Sequence, residues 1–418
     1  MGISTGRRWP AASTAPPLAV LVLVTGVGPL ALDTYLAALP AMQRSLSTSA
    51  AVAQLTVTTY IAGLAFGQLV IGAVSDGTGR RMPLLCSTAA FTTTCIICAI
   101  APNAGLLIAA RLLGGLAAGA GVATGRAAVS DYYKGTGAAK KFGTLASINF
   151  LGPVIAPAIG GLILTVGTWR TIFWCLSALG LVMVLAVAAR LPETLPPSER
   201  HPGGLASTGT RMVDLLGNRV YLRHVIVSCL ATAGFFTYIG GSSFVLQTVY
   251  GISQTEYALV FSVNAVAMVV AGALFRVLVA RVGTVRLRLA GLLLSSTASV
   301  VLVGVALLPR ADRLSVAAPW VLLSCVTAGM GLVIPASMTL AQQAGEVFRG
   351  TASALQGGLS FLTGALVTPL TGVLGDTSLT PMALLMAGFM LATLVALSVT
   401  RSPRWTGEAP RRYRSAPK

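Results

Sequence analysis

The chain has 418 residues, of which 55% are hydrophobic and only 10% charged. An ordinary soluble domain carries roughly 25% charged residues, so a chain this apolar cannot cover a water-facing surface. The formal net charge of +18 does not point to a nucleic-acid partner, because the basic residues lie between apolar stretches and not on one face of a soluble fold.

Near the start, Arg7 and Arg8 precede an apolar run, and Ala37 and Ala38 imitate a signal-peptide cleavage site. The apolar stretch 17–40 is too long for a signal core, and a second such stretch follows at once, so it reads as an uncleaved first helix. Windows long enough to cross a bilayer fall near 17–39, 50–74, 83–101, 105–130, 142–166 and 168–190, and again near 222–246, 257–280, 287–308, 316–341, 350–374 and 380–399. The longest polar interruption, 191–221, holds Pro192, Pro196, Pro197 and Pro202 and reads as a linker. The expected class is an all-α integral membrane protein: twelve transmembrane helices in two six-helix halves, 1–190 and 222–400, then a basic tail over 401–418. A faint repeat supports the halves, since 75–81 after the second span matches 280–286 after the eighth.

Of the 29 basic residues, 23 lie on the side of the termini, four lie opposite, and Arg111 and Arg126 lie within the fourth span. That bias places both termini in the cytoplasm, and the abundance of Ala, Gly, Val, Thr and Arg points to a GC-rich bacterial source and so to its inner membrane. All six cysteines fall inside predicted spans, so neither a disulfide framework nor a soluble zinc site is expected.

Of eleven acidic residues, Asp33 is the one carboxylate well inside a predicted span. Intramembrane carboxylates mark ion or substrate pathways, and such a group can load and release a proton as water access changes sides. At about 1.5 Å per helical residue, Asp33 lies roughly 10 Å from the end of span one at Pro40, and Arg111 roughly 9 Å from the same side. Asp33 and Arg111 then share a level, either as a proton carrier tuned by the cation or as a fixed ion pair that sets helix packing. Arg126 falls roughly 12 Å lower, suiting the inner half of a cavity.

Gly115 with Gly119, and Ala117 with Gly121 and Gly125, are small residues four apart in span four, a spacing that permits close helix approach. In span five, Gly152, Pro153, Pro157, Gly160 and Gly161 predict a bend or a close contact.

In order, these features resemble the major facilitator superfamily. Gly72, Asp76, Gly79, Arg80 and Arg81 match its loop between helices two and three, with Val74 at the leucine position. The resemblance implies a cytoplasmic latch there, Asp76 near a helix N-terminus and the arginines pairing across the halves. Arg111, Gly115 and Ala117-Ala118 resemble the family's arginine motif, with Gly114 in place of glutamine; the implied role for Arg111 is proton transfer. The segment 156–161 resembles the fifth-helix antiporter motif, with Ala156 in place of its first glycine, and implies export over uptake.

Closer similarity is to the Bcr/CflA branch, the bicyclomycin and chloramphenicol/florfenicol efflux proteins. It is carried by Leu32-Asp33-Thr34-Tyr35-Leu36 with Leu39-Pro40, Arg126-Ala127-Ala128 with Asp131, Trp169-Arg170, Leu191-Pro192-Glu193-Thr194, Tyr238-Ile239, Asn264-Ala265 and 350–355. Ser243, Ala336 and Ser360 depart from that pattern at positions expected to face the cavity.

The function implied is a proton-coupled antibiotic exporter working by alternating access. Asp33 would carry the proton, Arg111 and Arg126 would tune it, and Tyr60, Asn149, Tyr238 and Asn264 are substrate-cavity candidates. The partners expected are a small-molecule drug, protons and the lipid bilayer, acting on a monomer without cofactor or metal. The alternative is an uptake symporter or facilitator for a small nutrient. An enzyme is not expected: no metal cluster, nucleophile triad or phosphate loop is present, and His201 and His224 lie in or beside the linker.

Overall fold

The computed structural model describes residues 18–132, 152–195, 200, 204–309, 315–345, 349–375 and 377–399. Asn149 and the first part of the fifth predicted span lie outside the described residues, as do the side chains of Gly72 and Asp76.

The first half holds α1 (Leu18–Asp33), α2 (Leu39–Ser45), α3 (Ala50–Thr78), α4 (Arg81–Ile100), α5 (Ala104–Tyr132), α6 (Gly152–Val166) and α7 (Trp169–Arg190). After α8 (Gly204–Gly217) come α9 (Arg219–Phe244), α10 (Gln254–Val282), α11 (Thr284–Ala306), α12 (Ala317–Ala344), α13 (Arg349–Val367), α14 (Leu370–Leu374) and α15 (Thr380–Val399). Among the described residues, 11 segments are long and apolar enough to span a bilayer, and α6 is a shorter twelfth. Apolar side chains on their outer faces are left uncovered, such as Leu181, Val182 and Leu185 on α7. That exposure suits a hydrocarbon solvent and not water.

Local chemistry sets the helix ends. Ser49 caps α3 by accepting from Val52 N at 3.3 Å. Ser253 and Glu256 form a reciprocal box at the start of α10: Ser253 N donates to Glu256 Oε2 at 2.7 Å, and Glu256 N donates to Ser253 Oγ at 3.2 Å. Helices α3 and α10 are both 29 residues long and both end on a glycine in the left-handed region, Gly79 at φ 98° and Gly283 at φ 88°. The repeat seen in the sequence is thus present in the backbone, but Gly79 pairs with Gly283, one residue out of step with the match of 75–81 to 280–286.

Three elements differ from expectation. The first span does not end at Pro40: α1 stops at Asp33, a short 3₁₀ turn covers Leu36–Ala38, and α2 continues to Ser45. Proline is tolerated in the first turn of a helix, where its missing N–H costs nothing, so Pro40 begins α2 instead of closing the span. The linker contains the helix α8, which packs against α3, α9 and α13 and so touches both halves. The eleventh span breaks at Thr368–Pro369 into α13 and α14.

The closest helix pair is α3 with α5. A Cβ added at Gly115 would meet Tyr60 O at 2.0 Å, and one at Gly119 would meet Leu64 O at 2.2 Å. From the other side, a Cβ at Gly63 would meet Leu112 O at 2.1 Å and one at Gly67 would meet Leu116 O at 2.1 Å. Two small-residue pairs therefore interlock backbone on backbone. Gly119→Val is expected to force the helices apart and to replace a single peak in size-exclusion chromatography with aggregate, whereas Gly209→Val, on α8 with open space around it, leaves the peak unchanged.

Candidate functional site

Because the chain enters at one end of the bundle and the linker returns to the same end, the faces are termed the linker face and the opposite face. Asp33 closes α1, about 22 Å from the linker-face end of that helix. It is 5% exposed, and among the described residues it makes no ion pair or hydrogen bond. Three buried phenols lie near it, Tyr60 on α3 in the first half and Tyr238 on α9 and Tyr257 on α10 in the second.

Arg111 lies at the same level, as predicted, but not as the partner of Asp33. Its Nη1 donates to Ala31 O and its Nε to Thr56 O, both at 3.4 Å. Its guanidinium lies 3.9 Å from the centre of the Tyr60 ring and 4.2 Å from that of Tyr35, with Phe173 at 5.6 Å. Among the described residues no fixed Asp33–Arg111 pair forms, and the aromatic faces take the place of a carboxylate around a cation that is 2% exposed. One guanidinium nitrogen, Nη2, is buried without a hydrogen bond. Arg126 is exposed on α5, roughly 22 Å further along the same unbroken helix instead of the roughly 12 Å expected, and is not brought to this cluster.

Of the cavity candidates, Tyr60 donates to Gly28 O at 3.0 Å and is fully buried. Tyr238 and Asn264 are joined to each other: Asn264 Nδ2 donates to Tyr238 Oη at 3.0 Å, while Trp320 Nε1 and Ser324 Oγ donate to Asn264 Oδ1 at 3.1 and 2.6 Å. Tyr238 also stacks on Phe261, with ring centres 5.5 Å apart. This network ties α9, α10 and α12 together, and its polar atoms are spent on one another. Ser243, Ala336 and Ser360 are buried instead of lining a cavity, at 0%, 0% and 7% exposure; Ser360 lies 3.1 Å from Ser228 Oγ.

The two halves are fastened at the opposite face. Gln54 on α3 donates from Nε2 to Gly240 O and Thr371 Oγ1, each at 3.0 Å, and its Oε1 accepts from Gly372 N at 3.0 Å. On the second half, Ser243 Oγ donates to Leu36 O at 2.7 Å and Gln247 Nε2 to Ala37 O at 2.9 Å. The span-five glycines complete the contact: a Cβ at Gly160 would collide with Thr34 O, and one at Gly161 would meet Ala258 Cβ at 2.6 Å on α10. The close contact expected of that motif is therefore present. Sequence reasoning missed Gln54 and Gln247, although an amide inside an apolar span was a readable signal. Gln54→Ala removes three bonds between the halves and is expected to raise the open fraction of this face by tenfold or more, by the usual ~1 kcal/mol per neutral bond. Faster reaction of an Ala51→Cys thiol with an impermeant maleimide would show it.

At the linker face, the loop expected to be a latch turns at Gly79. Arg80 Nε donates to Asp131 Oδ2 at 2.8 Å and Nη1 to Ser75 Oγ at 2.6 Å. Glu193, from the start of the linker, accepts from Arg80 N at 2.8 Å and Arg81 N at 3.3 Å, putting a carboxylate on the free N–H groups that open α4. Arg81 Nη2 reaches Ala188 O at 2.9 Å. These contacts stay within the first half and the linker, where the resemblance implied pairing across the halves.

Residues 21–368 match the family model described as Major Facilitator Superfamily. The MFS-type transporter YdgK of Bacillus subtilis strain 168 is 33% identical over 381 residues, 91% of this chain and 93% of that protein. The multidrug resistance protein MdtL of Escherichia coli O157:H7 is 29% identical over 237 residues, 57% of this chain and 60% of its own. Among solved structures, a bacterial homolog of the human lysosomal transporter Spinster, inward-facing and unoccupied, gives a TM-score of 0.69 at 16% identity over 92% of this chain and 96% of its own. A D-xylose-proton symporter gives 0.69 at 16% identity over 94% of this chain and 99% of its own.

Proposed function

The chain belongs to the major facilitator superfamily of membrane transporters, and from that premise we propose that it exports small drug-like molecules in exchange for protons. The observation that carries this reading is Asp33: a buried carboxylate at the break of the first span, near phenols of both halves and held by no counter-ion among the described residues. A fixed structural ion pair would need a partner there, whereas a proton carrier needs a site whose surroundings change as the halves rock. The similarity to a multidrug resistance protein supports drug-like cargo, with bicyclomycin or chloramphenicol and florfenicol as the first compounds to try. The layout fits a monomer in a bacterial inner membrane with the linker face cytoplasmic, driven by the proton gradient without a cofactor.

Cells expressing the chain are expected to accumulate less chloramphenicol, florfenicol or bicyclomycin than cells with an empty vector, and a protonophore is expected to erase the difference. Equal accumulation of all three would sink the drug assignment, and inward accumulation of a nutrient would favour an uptake symporter.

A further inference from the structure

We propose that Ser243 and Gln247, on the second half, position the Asp33-bearing break of the first span and thereby couple the protonation of Asp33 to opening of the opposite face. The inference rests on the proton-exchange reading above. Between α1 and α2 the chain runs through Thr34 and Tyr35 into the 3₁₀ turn Leu36–Ala38. Two carbonyls of this turn accept from the other half: Leu36 O from Ser243 Oγ at 2.7 Å, alongside its own turn bond from Leu39 N, and Ala37 O from Gln247 Nε2 at 2.9 Å.

The two donors act as one unit. They are four residues apart, Ser243 in the last turn of α9 and Gln247 just beyond it, and Gln247 Nε2 also donates to Ser243 Oγ at 2.9 Å. Helix α9 gives way to a π turn over Val245–Val249, which places Gln247 within the distortion. Such turns are rare and occur largely at functional places. On its other side the break meets α6, where Gly160 leaves room for Thr34 O. The accepting carbonyls lie three and four residues after Asp33, so the carboxylate and the clasp share one short, clamped segment. Parting of the halves must break both bonds, and doing so frees the segment that carries Asp33.

The test places spin labels at Arg44→Cys and Thr255→Cys, both exposed at the opposite face, in a full-length chain with the exposed Cys86 and Cys175 changed to serine. Label separation is read by pulsed EPR across about pH 5 to 9. Around Asp33 stand Tyr35, Tyr60, Arg111, Tyr238 and Tyr257, and the Asp33→Asn variant separates the carboxylate's part from theirs. Wild type is expected to change separation with pH and Asp33→Asn to lose that change. The double variant Ser243→Ala with Gln247→Leu is expected to favour the wide separation roughly tenfold at every pH and to lose the pH response. Ser243→Thr, which keeps a hydroxyl, is expected to retain it, and Gln54→Ala to open the face while still responding to pH. A double variant that opens yet responds like wild type would make Ser243 and Gln247 simple glue and overturn the proposal, as would a wild type indifferent to pH. Absence of drug transport with the label pattern intact would instead remove the exporter reading alone.

Discussion

Asp33→Asn, at wild-type abundance in the membrane, is expected to lose uphill drug transport by about 10²-fold or more, the scale on which removal of a proton-transferring group acts. Asparagine keeps the size and polarity of the side chain but cannot gain or lose a proton, and among the described residues Asp33 makes no hydrogen bond that the change would break. Packing around Tyr60, Tyr238 and Tyr257 is therefore retained, and so is downhill exchange of drug for drug across proteoliposomes. The split between the two assays is the informative result. Equal loss of both would make Asp33 a structural residue, and unchanged uphill transport would place the proton elsewhere.

Asp131→Ala is expected to destabilise the chain by about 1.5–3 kcal/mol, because it removes a charge-assisted hydrogen bond from a buried guanidinium. Arg80 is held by Asp131 at 2.8 Å with side-chain exposures of only 6% and 17%. The same carboxylate also accepts from Thr194 Oγ1 at 3.4 Å. A fall of roughly 5 °C in the midpoint of thermal unfolding in detergent would register the loss. Replacing both partners by apolar residues, Arg80→Met with Asp131→Leu, is expected to recover most of it, since desolvation then costs nothing. A single variant within about 1 °C of wild type would mean that the pair behaves as an exposed surface bridge.

The spans and their division into halves were legible because a bilayer demands long apolar helices, and few sequences meet that demand by accident. The close approach of α3 and α5 was half legible: Gly115 and Gly119 were read, while Gly63 and Gly67, at the same spacing in the facing helix, were not. The level shared by Asp33 and Arg111 followed from counting along helices, yet what Arg111 does there did not. Its aromatic partners Tyr35, Tyr60 and Phe173 come from three separate stretches of chain, and no spacing rule joins them. The break after Asp33 was hidden because Pro40 reads equally as the end of one helix or the first turn of the next. The amides of the clasp were readable but their pairing was not: Gln54, Ser243 and Gln247 bond to backbone oxygens of Gly240, Leu36 and Ala37, and no spacing rule joins positions so far apart in the chain. For Tyr238 and Asn264 the residues were found, but their use was not, since an amide with three partners is satisfied internally.

The most direct test of proton exchange through Asp33 is drug-triggered proton movement in inverted membrane vesicles, followed with a pH-sensitive dye after addition of chloramphenicol, florfenicol or bicyclomycin. Wild-type vesicles are expected to release lumenal protons on drug addition, and vesicles carrying Asp33→Asn at equal abundance to stay silent. A full response from the Asp33→Asn vesicles would contradict the account.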